Sequence, residues 1–378
     1  MKKGEIKLIN KNKLTNEDKN LFFVSTALQL FNAIEAQHHF QTTNNILVLL
    51  SFGKQSHDER HIKLYLDQFP YDELIIFNVN DSKIYHTLVV ELLDTINKYT
   101  YNYFFLGYFS ANLRRLACNI PAKTLFLYDD GTYLIALHNE VYNSQSISTN
   151  SIPLIRRYSE RSRKSKFKQF IFLLYDYYRE FYFKLHGYKN DFKKIELSFF
   201  TIFHLDTYQK EKIVNHHFKR LQNIFQISNK ISSIQEKKHI YFLGQPLDKA
   251  LNIPNDTYIS YIMQIASYYK EKKINFIYVP HRAEDGSIVS KLTLENFEIL
   301  TPNIPFEIYI FEQDIKISHI ASFFSSVLFT TKVLFPKIHV EAFKIPFDLQ
   351  ERNDINAIYN TLKKENIPIH NLKNHEKQ

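Results

Sequence analysis

Short apolar runs rich in aromatic and β-branched residues alternate along this chain with longer stretches whose apolar positions recur at helical spacing. In the first half the runs fall at Leu21–Ser25, Ile46–Ser51 (ILVLLS), Glu73–Val79 (ELIIFNV), Tyr103–Leu106 and Lys123–Tyr128 (KTLFLY). Each reads as a buried strand. Between them the spacing predicts helices over Ala27–His38, His61–Phe69, Tyr85–Lys98 and Ala111–Ala117, with Thr26 placed to cap the first. Residues 1–20 are polar and basic and read as a lead-in or a short edge strand.

The pattern lapses over 139–166, where Asn143–Ser151 (NSQSISTNS) is polar, and residues 192–226 are mixed. It resumes beyond the polar stretch Ser228–Lys238 with a strand at His239–Leu243 (HIYFL) and a turn at Gly244-Gln245-Pro246-Leu247. A helix over Thr257–Tyr269 and strands at Ile274–Val279 and Phe306–Phe311 follow. Then come a helix over Ile320–Phe329 with hydroxyls at its start, a strand at Lys337–Glu341 and a closing helix over Asn353–Glu365. Strands alternating with helices at this spacing mean βαβ units and parallel sheets. The expected fold is therefore α/β: a first domain over 1–235 and a second over 236–378, facing one another across a cleft.

Composition narrows the partners. The 378 residues are 44% hydrophobic and 23% charged, ordinary for a globular protein of two domains. With only 7 Gly and no GxGxxG or Walker pattern, a Gly-rich phosphate loop is excluded. The single Cys118 fits a reducing compartment. A net charge of +9 favours anionic partners. Much of it sits in Arg156–Lys168, which holds seven Lys or Arg, directly before the aromatic stretch Phe170–Tyr188. A basic run feeding an aromatic helix suits peripheral contact with an anionic inner membrane, and equally a core or homodimer-facing helix with a solvated lead-in. No recognition motif accompanies the charge, so nucleic acid is not an expected partner. No run reaches the roughly 20 apolar residues of a membrane span. Leu21–Ile34 resembles a signal-peptide core, but Glu17, Asp18 and Lys19 precede it and Gln29 and Asn32 interrupt it. The expected location is cytoplasmic.

Two constellations carry candidate chemistry. The first is Tyr128-Asp129-Asp130-Gly131 at a strand's carboxyl end. Adjacent carboxylates repel, which suits one of them as a base, while Gly131 permits a sharp turn; an ordinary Asp-Gly turn is the plain alternative. The second is His281, just past the strand that Pro280 ends, taken with Glu307 and Ser325-Ser326. Ligands of open α/β sheets bind at strand carboxyl ends. A carboxylate for ribose hydroxyls, serine hydroxyls and helix N–H groups for phosphate, and a histidine beside the bridging oxygen suit a nucleoside monophosphate. A helix N-terminus contributes about 0.3–1 kcal/mol towards an anion. A protonated imidazole at about 4 Å contributes up to roughly 4 kcal/mol before desolvation, so the histidine is the larger lever. Helix capping by the serines and carbonyl capping by the histidine are the plain readings. Zinc-spaced Cys/His clusters and a DxD pair are absent, so no metal site is expected.

TALQL at 26–30 with NAIEA at 32–36, YDDGT at 128–132, FLGQPL at 242–247, YVPH at 278–281 and SFFSSVLF at 322–329 together resemble bacterial sialyltransferases. They look most like glycosyltransferase family 52, the lipooligosaccharide sialyltransferases. The capsule polysialyltransferases share the acidic-Gly, His-Pro and paired-hydroxyl motifs in the same order. The resemblance runs from about 21 to 345. It implies a GT-B fold, with two Rossmann-like domains and CMP held mainly by the C-terminal one. It implies inverting, metal-independent transfer from a CMP-activated nonulosonate, without a cofactor, to a hydroxyl of lipooligosaccharide or capsule. By this likeness His281 contacts the CMP phosphate and protonates the leaving group, Glu307 binds ribose, Ser325 and Ser326 bind phosphate or sugar carboxylate, and Gln245-Pro246 belong to the donor turn. The base is Asp129 or Asp130, or in family 52 proper a residue after the GQP turn, where Asp248 and Asp256 stand. One departure is visible: Arg282-Ala283-Glu284 follows His281, where the family has His-Pro and then Arg-Glu. Two rivals stay open, a hexosyltransferase using a UDP-sugar and a non-catalytic binder of acidic glycans or membrane.

Overall fold

The structure, a computed structural model, describes residues 4–10, 18–52, 57–79, 86–143, 177–189, 196–207, 212–226, 239–312, 317–346 and 352–373. The chain divides into two compact units. The first takes Met1–Thr201 and Asp206–His216, the second Ile202–Leu205 and His217–Gln378.

Unit 1 holds strands β1 (Gly4–Asn10), β2 (Lys19–Val24), β3 (Asn45–Phe52), β4 (Glu73–Val79), β5 (Tyr101–Leu106), β6 (Ala122–Tyr128), β7 (Leu197–Thr201) and β8 (Ile213–Asn215). They form one sheet in the order β1-β4-β3-β2-β5-β6-β7-β8. All pairings from β4 to β8 are parallel, and β1 closes the edge antiparallel to β4. That makes the N-terminal segment an edge strand rather than a bare lead-in. Every residue of β2 is buried, as expected where both faces of a parallel sheet are covered, so apolar runs replace alternation. Phe22, Phe105 and Phe126 stand in one register row of β2, β5 and β6. Their rings stack at 4.6 and 5.4 Å, a cross-strand ladder that pins the centre of the sheet.

Unit 2 holds β9 (His239–Leu243), β10 (Asn275–Val279), β11 (Glu298–Ile299), β12 (His319–Ser322), β13 (His339–Lys344) and β14 (Ile369–Asn371). This sheet is parallel throughout, in the order β11-β10-β9-β12-β13-β14. In both units the chain builds outward on one side of its first central strand, then returns and builds on the other. The reversal falls between β2 and β5 in unit 1 and between β9 and β12 in unit 2. This is the Rossmann order, and such a switch point opens a crevice at the strands' carboxyl ends. Two Rossmann-like α/β units are the GT-B plan.

Some expected elements differ. Phe306–Phe311 is not a strand but lies in the helix Phe306–Glu312. A short apolar run does not distinguish the two, and Pro305, whose carbonyl accepts the Tyr309 N–H at 2.9 Å, starts the helix. The expected helix Ile320–Phe329 splits into β12 and the helix Ser326–Leu334, because Ile320–Ser322 pair between β9 and β13. The strand read at Lys337–Glu341 lies two residues later, at His339–Lys344. The polar stretch taken as the domain boundary, 228–238, lies outside the described residues. The division into compact units falls at 216/217. Helix Lys219–Ile224 goes with unit 2, burying Leu221 and donating from Gln222 to the Val333 carbonyl at 3.3 Å. Of the basic–aromatic segment, 156–176 lie outside the described residues, and 177–185 are helical.

Candidate active site

In unit 2 the loops that leave β9, β10 and β12 are tied to one another by side chains. Gln245, after β9, reaches across the switch point: its Oε1 accepts the Phe324 N–H at 2.8 Å and lies 3.4 Å from Ser322 Oγ. Its own N–H donates to the Tyr258 hydroxyl at 3.0 Å. Pro246 leads directly into the short helix Leu247–Leu251. On the far side Ser325 caps helix Ser326–Leu334, its Oγ accepting the Val327 N–H at 3.3 Å. Ser325 is thus a cap as the plain reading had it, and that same geometry leaves Ser326 in the first turn, where N–H groups favour an anion.

His281 stands beyond β10 and is open to solvent. Its Nδ1 accepts the Ala283 N–H at 3.1 Å, so the neutral ring carries its proton on Nε2. The surrounding protein pushes its pKa below the usual histidine value, and the charges of Arg282 and Lys249 add to that. In the unliganded protein His281 is therefore a neutral Nε2–H donor near pH 7, not the imidazolium of the sequence argument. Glu307 lies in the first turn of helix Phe306–Glu312 rather than at a strand end. Burial raises its pKa, while its own N–H and the nearby Arg282 charge oppose the rise.

Glu284 was not singled out from the sequence. Its Oε2 accepts the Tyr278 hydroxyl at 2.6 Å, and its Oε1 accepts the His281 N–H at 3.1 Å and the Tyr258 hydroxyl at 3.4 Å. The two tyrosine hydroxyls are 3.0 Å apart. Burial pushes the Glu284 carboxyl up to about 7, with Asp248 adding repulsion and its hydrogen bonds pulling the other way. Gly244 is required beneath it: a Cβ there would sit 2.1 Å from Glu284 Oε1 and 2.4 Å from the Tyr278 hydroxyl oxygen. Of the other two candidate bases, Asp248 borders Glu284, whereas Asp256 has a side chain 86% exposed and pairs with Lys291 at 2.5 Å.

In unit 1 the acidic pair divides. Asp129 is 1% exposed. Its Oδ1 accepts the Thr201 hydroxyl at 2.5 Å, its Oδ2 lies 3.8 Å from His216 Nε2, and its carbonyl accepts from Asn32 Nδ2 at 3.2 Å. The His216 ring lies flat on Phe200, centroids 4.3 Å apart. Asp129 is thus a structural carboxylate hydrogen-bonded to Thr201 at the end of β7, with His216, just past β8, beside it. Asp130, next along, is partly open to solvent. Gly131 follows at φ 67°, a conformation that favours glycine, so the chain turns there and leaves Asp130 on the outside. Thr201 and His216 carry no local motif, so sequence reasoning missed them. A cavity of about 580 Å³ lies at the other end of this sheet, lined by Asp18, Asn20, Phe40, Tyr103 and Lys123, and touches none of the motif residues.

No family model and no curated protein matches the sequence. Solved structures do. The structural neighbours include bacterial sialyltransferases and TcCGT1, solved in complex with UDP, which gives a TM-score of 0.46 at 10% identity over 95% of this chain and 86% of that one. The α/β-galactoside α-2,3-sialyltransferase of Photobacterium phosphoreum matches with a TM-score of 0.50 at 12% identity, over 94% of this chain and 99% of that one. A 2,6-sialyltransferase of Photobacterium sp. JT-ISH-224, solved with CMP and lactose, gives 0.47 at 11% identity over 98% and 84%. The GT-B domain of the Photobacterium damselae sialyltransferase gives 0.45 at 13% over 94% and 100%. At such identities the shared property is the fold.

Proposed function

We propose that this protein is an inverting glycosyltransferase that moves sialic acid, or a related nonulosonate, from its CMP donor to a glycan hydroxyl. The observation that carries the reading is His281, a neutral imidazole held as an Nε2–H donor in the loop beyond β10. The likeness to the α-2,3-sialyltransferase fold supports the glycosyltransferase reading, and the motif resemblance supports the choice of donor.

In this reading Ser325, Ser326 and the N–H groups behind them take the phosphate or the sugar carboxylate, Glu307 the ribose hydroxyls, and Gln245-Pro246 shape the donor turn. His281 Nε2–H hydrogen-bonds the phosphate oxygen that leaves. An anion beside an imidazole raises its pKa, so donor binding itself favours loading of the proton that His281 then gives up. Asp130 is the base we favour over Asp129, which is sealed, and Asp256, which pairs with Lys291 in solvent, and Asp248, beside Glu284, is the alternative. The acceptor hydroxyl gives its proton to Asp130 and bonds the anomeric carbon. The bond from that carbon to the phosphate oxygen breaks, and CMP leaves. One phosphate needs one hydrogen-bond donor and a helix terminus rather than a metal.

Lipooligosaccharide or capsule is the proposed acceptor class, reached from the cytoplasmic side. Among the described residues no helix is long and apolar enough to cross a membrane. Tyr177, Phe181 and Leu185, 77%, 62% and 65% exposed at successive helical turns, support peripheral contact with an anionic surface.

The test is a thermal-shift titration with CMP, UDP and GMP, with and without EDTA. A ligand at 100 times its dissociation constant stabilises by about 2.7 kcal/mol. A CMP-selective, EDTA-insensitive shift is expected. A UDP-selective shift would replace the donor with a UDP-sugar, and no shift with any nucleotide would overturn the enzyme reading.

A further inference from the structure

Three loops of unit 2 meet in one hydrogen-bond network, and Glu284 is the one carboxylate among the described residues that bonds the backbone of the His281 loop to it. Its Oε1 takes the His281 N–H, and the Glu284 N–H returns to the His281 carbonyl at 2.9 Å, so the turn is closed from both sides. The rest of the carboxylate is held by Tyr278 from β10 and Tyr258 from helix Asn255–Glu271. Tyr258 in turn accepts the Gln245 N–H, and Gln245 Oε1 reaches Phe324 beyond β12. From the solvent side Lys249 donates to the Ala283 carbonyl.

We propose that Glu284 is a positioning residue: it clamps the His281 loop to the Gly244–Gln245 turn and thereby fixes which nitrogen of His281 carries the proton. The inference rests on the reading of His281 as the contact to the donor phosphate. With the clamp in place the Ala283 N–H is held against Nδ1, and Nε2–H faces outward. Without it the loop has no carboxylate anchor, and the ring reverts to the mixed tautomers of a solvent-exposed histidine. The charged or titratable neighbours are Asp248 and Lys249 on helix Leu247–Leu251, Tyr258, Tyr278, and Arg282 and Asp285 in the loop itself. Of these only the two tyrosines hydrogen-bond the Glu284 carboxylate.

The test uses the full chain with CMP as probe in calorimetric titrations, together with heteronuclear NMR of isotopically labelled histidine. Glu284→Ala is expected to weaken CMP binding roughly tenfold or more, the usual scale for losing a charge-assisted hydrogen bond. Glu284→Gln keeps an oxygen for the His281 N–H and stays within about threefold of the parent, since that bond is retained. The double variant Glu284→Ala with His281→Ala is expected to bind no worse than the weaker single variant, because both remove one interaction. In the spectra Glu284→Ala loses the single Nε2–H tautomer of His281 and Glu284→Gln keeps it. Additive losses in the double variant, or an unchanged tautomer in Glu284→Ala, would overturn the proposal. Should the parent protein bind no CMP, the donor reading falls, and the tautomer comparison alone decides the positioning role. If Glu284→Ala does not fold, Tyr278→Phe strips one bond from the clamp and carries the same comparison with a smaller loss.

Discussion

Replacing Thr201 by valine tests whether Asp129 is a structural carboxylate. The two side chains are nearly the same shape, so the substitution exchanges one hydroxyl for one methyl inside unit 1. The hydroxyl donates to Asp129 Oδ1 at 2.5 Å, and both residues are sealed, at 0% and 1% exposure. A hydrogen bond to a charged acceptor is worth about 1.5–3 kcal/mol, and here the carboxylate left behind has no access to water in exchange. The expected loss is therefore about 2–3 kcal/mol. For a unit of this size each kcal/mol lowers Tm by about 2–4 °C, so the melt falls by roughly 4–12 °C. Thermal melts read the total, and native-state hydrogen exchange at the Tyr128 and Phe200 amides locates it in the β6–β7 pairing. Thr201→Ser keeps the hydroxyl and restores most of the loss. A Thr201→Val protein within about 0.5 kcal/mol of the parent, the level of an ordinary surface change, would refute the reasoning. So would a Thr201→Ser protein as unstable as Thr201→Val.

Gly244→Ala places a methyl 2.1 Å from Glu284 Oε1, so the clamp must open. We expect about 1–3 kcal/mol of destabilisation and loss of CMP binding, read by melting and titration. Glu284 also sets a pH dependence. Its pKa is raised from 4.5 to about 7, so the folded state holds the proton more tightly, and stability falls as pH rises through that window. The ceiling is on the order of 3 kcal/mol, and Glu284→Gln should flatten the slope in urea titrations taken across it. A slope unchanged in that variant would exclude Glu284 as its source. His281→Ala is expected to abolish sugar transfer with an unchanged melt, and Asp130→Asn to do the same while Asp256→Asn retains activity. Wild-type turnover by His281→Ala, or inactivation by Asp256→Asn alone, would reassign those roles.

What was legible in the sequence was whatever the chain states locally. The buried parallel strands announce themselves as apolar runs, because both of their faces are covered. Pro280 marks the end of β10 and so places His281 at a carboxyl end. Elements whose identity depends on neighbours were not legible. Phe306–Glu312 has the composition of a strand and becomes a helix behind Pro305. Ile320–Ser322 has no strand signature of its own and is a strand because β9 and β13 flank it. The candidate site behaves likewise. YDDG could be spotted but not sorted into a sealed and an open carboxylate, since Thr201 lies 72 positions from Asp129 along the chain. Glu284 stood three positions from His281, yet its role depends on Tyr258 and Tyr278 meeting beneath it.

The excursion of Ile202–Leu205 into unit 2 has a consequence for how the protein is made. These residues leave the ribosome between β7 and β8, while unit 1 is still one strand short. Their partners do not yet exist. Phe203 comes to rest edge-on against Phe329, ring centroids 4.9 Å apart, and His204 Nδ1 meets Glu365 Oε1 at 2.5 Å. The second of these pairs spans 161 positions, so the segment waits until nearly the whole chain has been synthesised. Long-range closure of this kind is slow, and until Phe329 has been made the Phe203 ring lacks that partner. A fragment ending at His216 would lack both partners. The apolar contact of this unit 2 segment therefore forms only once the chain has been made as far as Phe329, well after the last strand of unit 1.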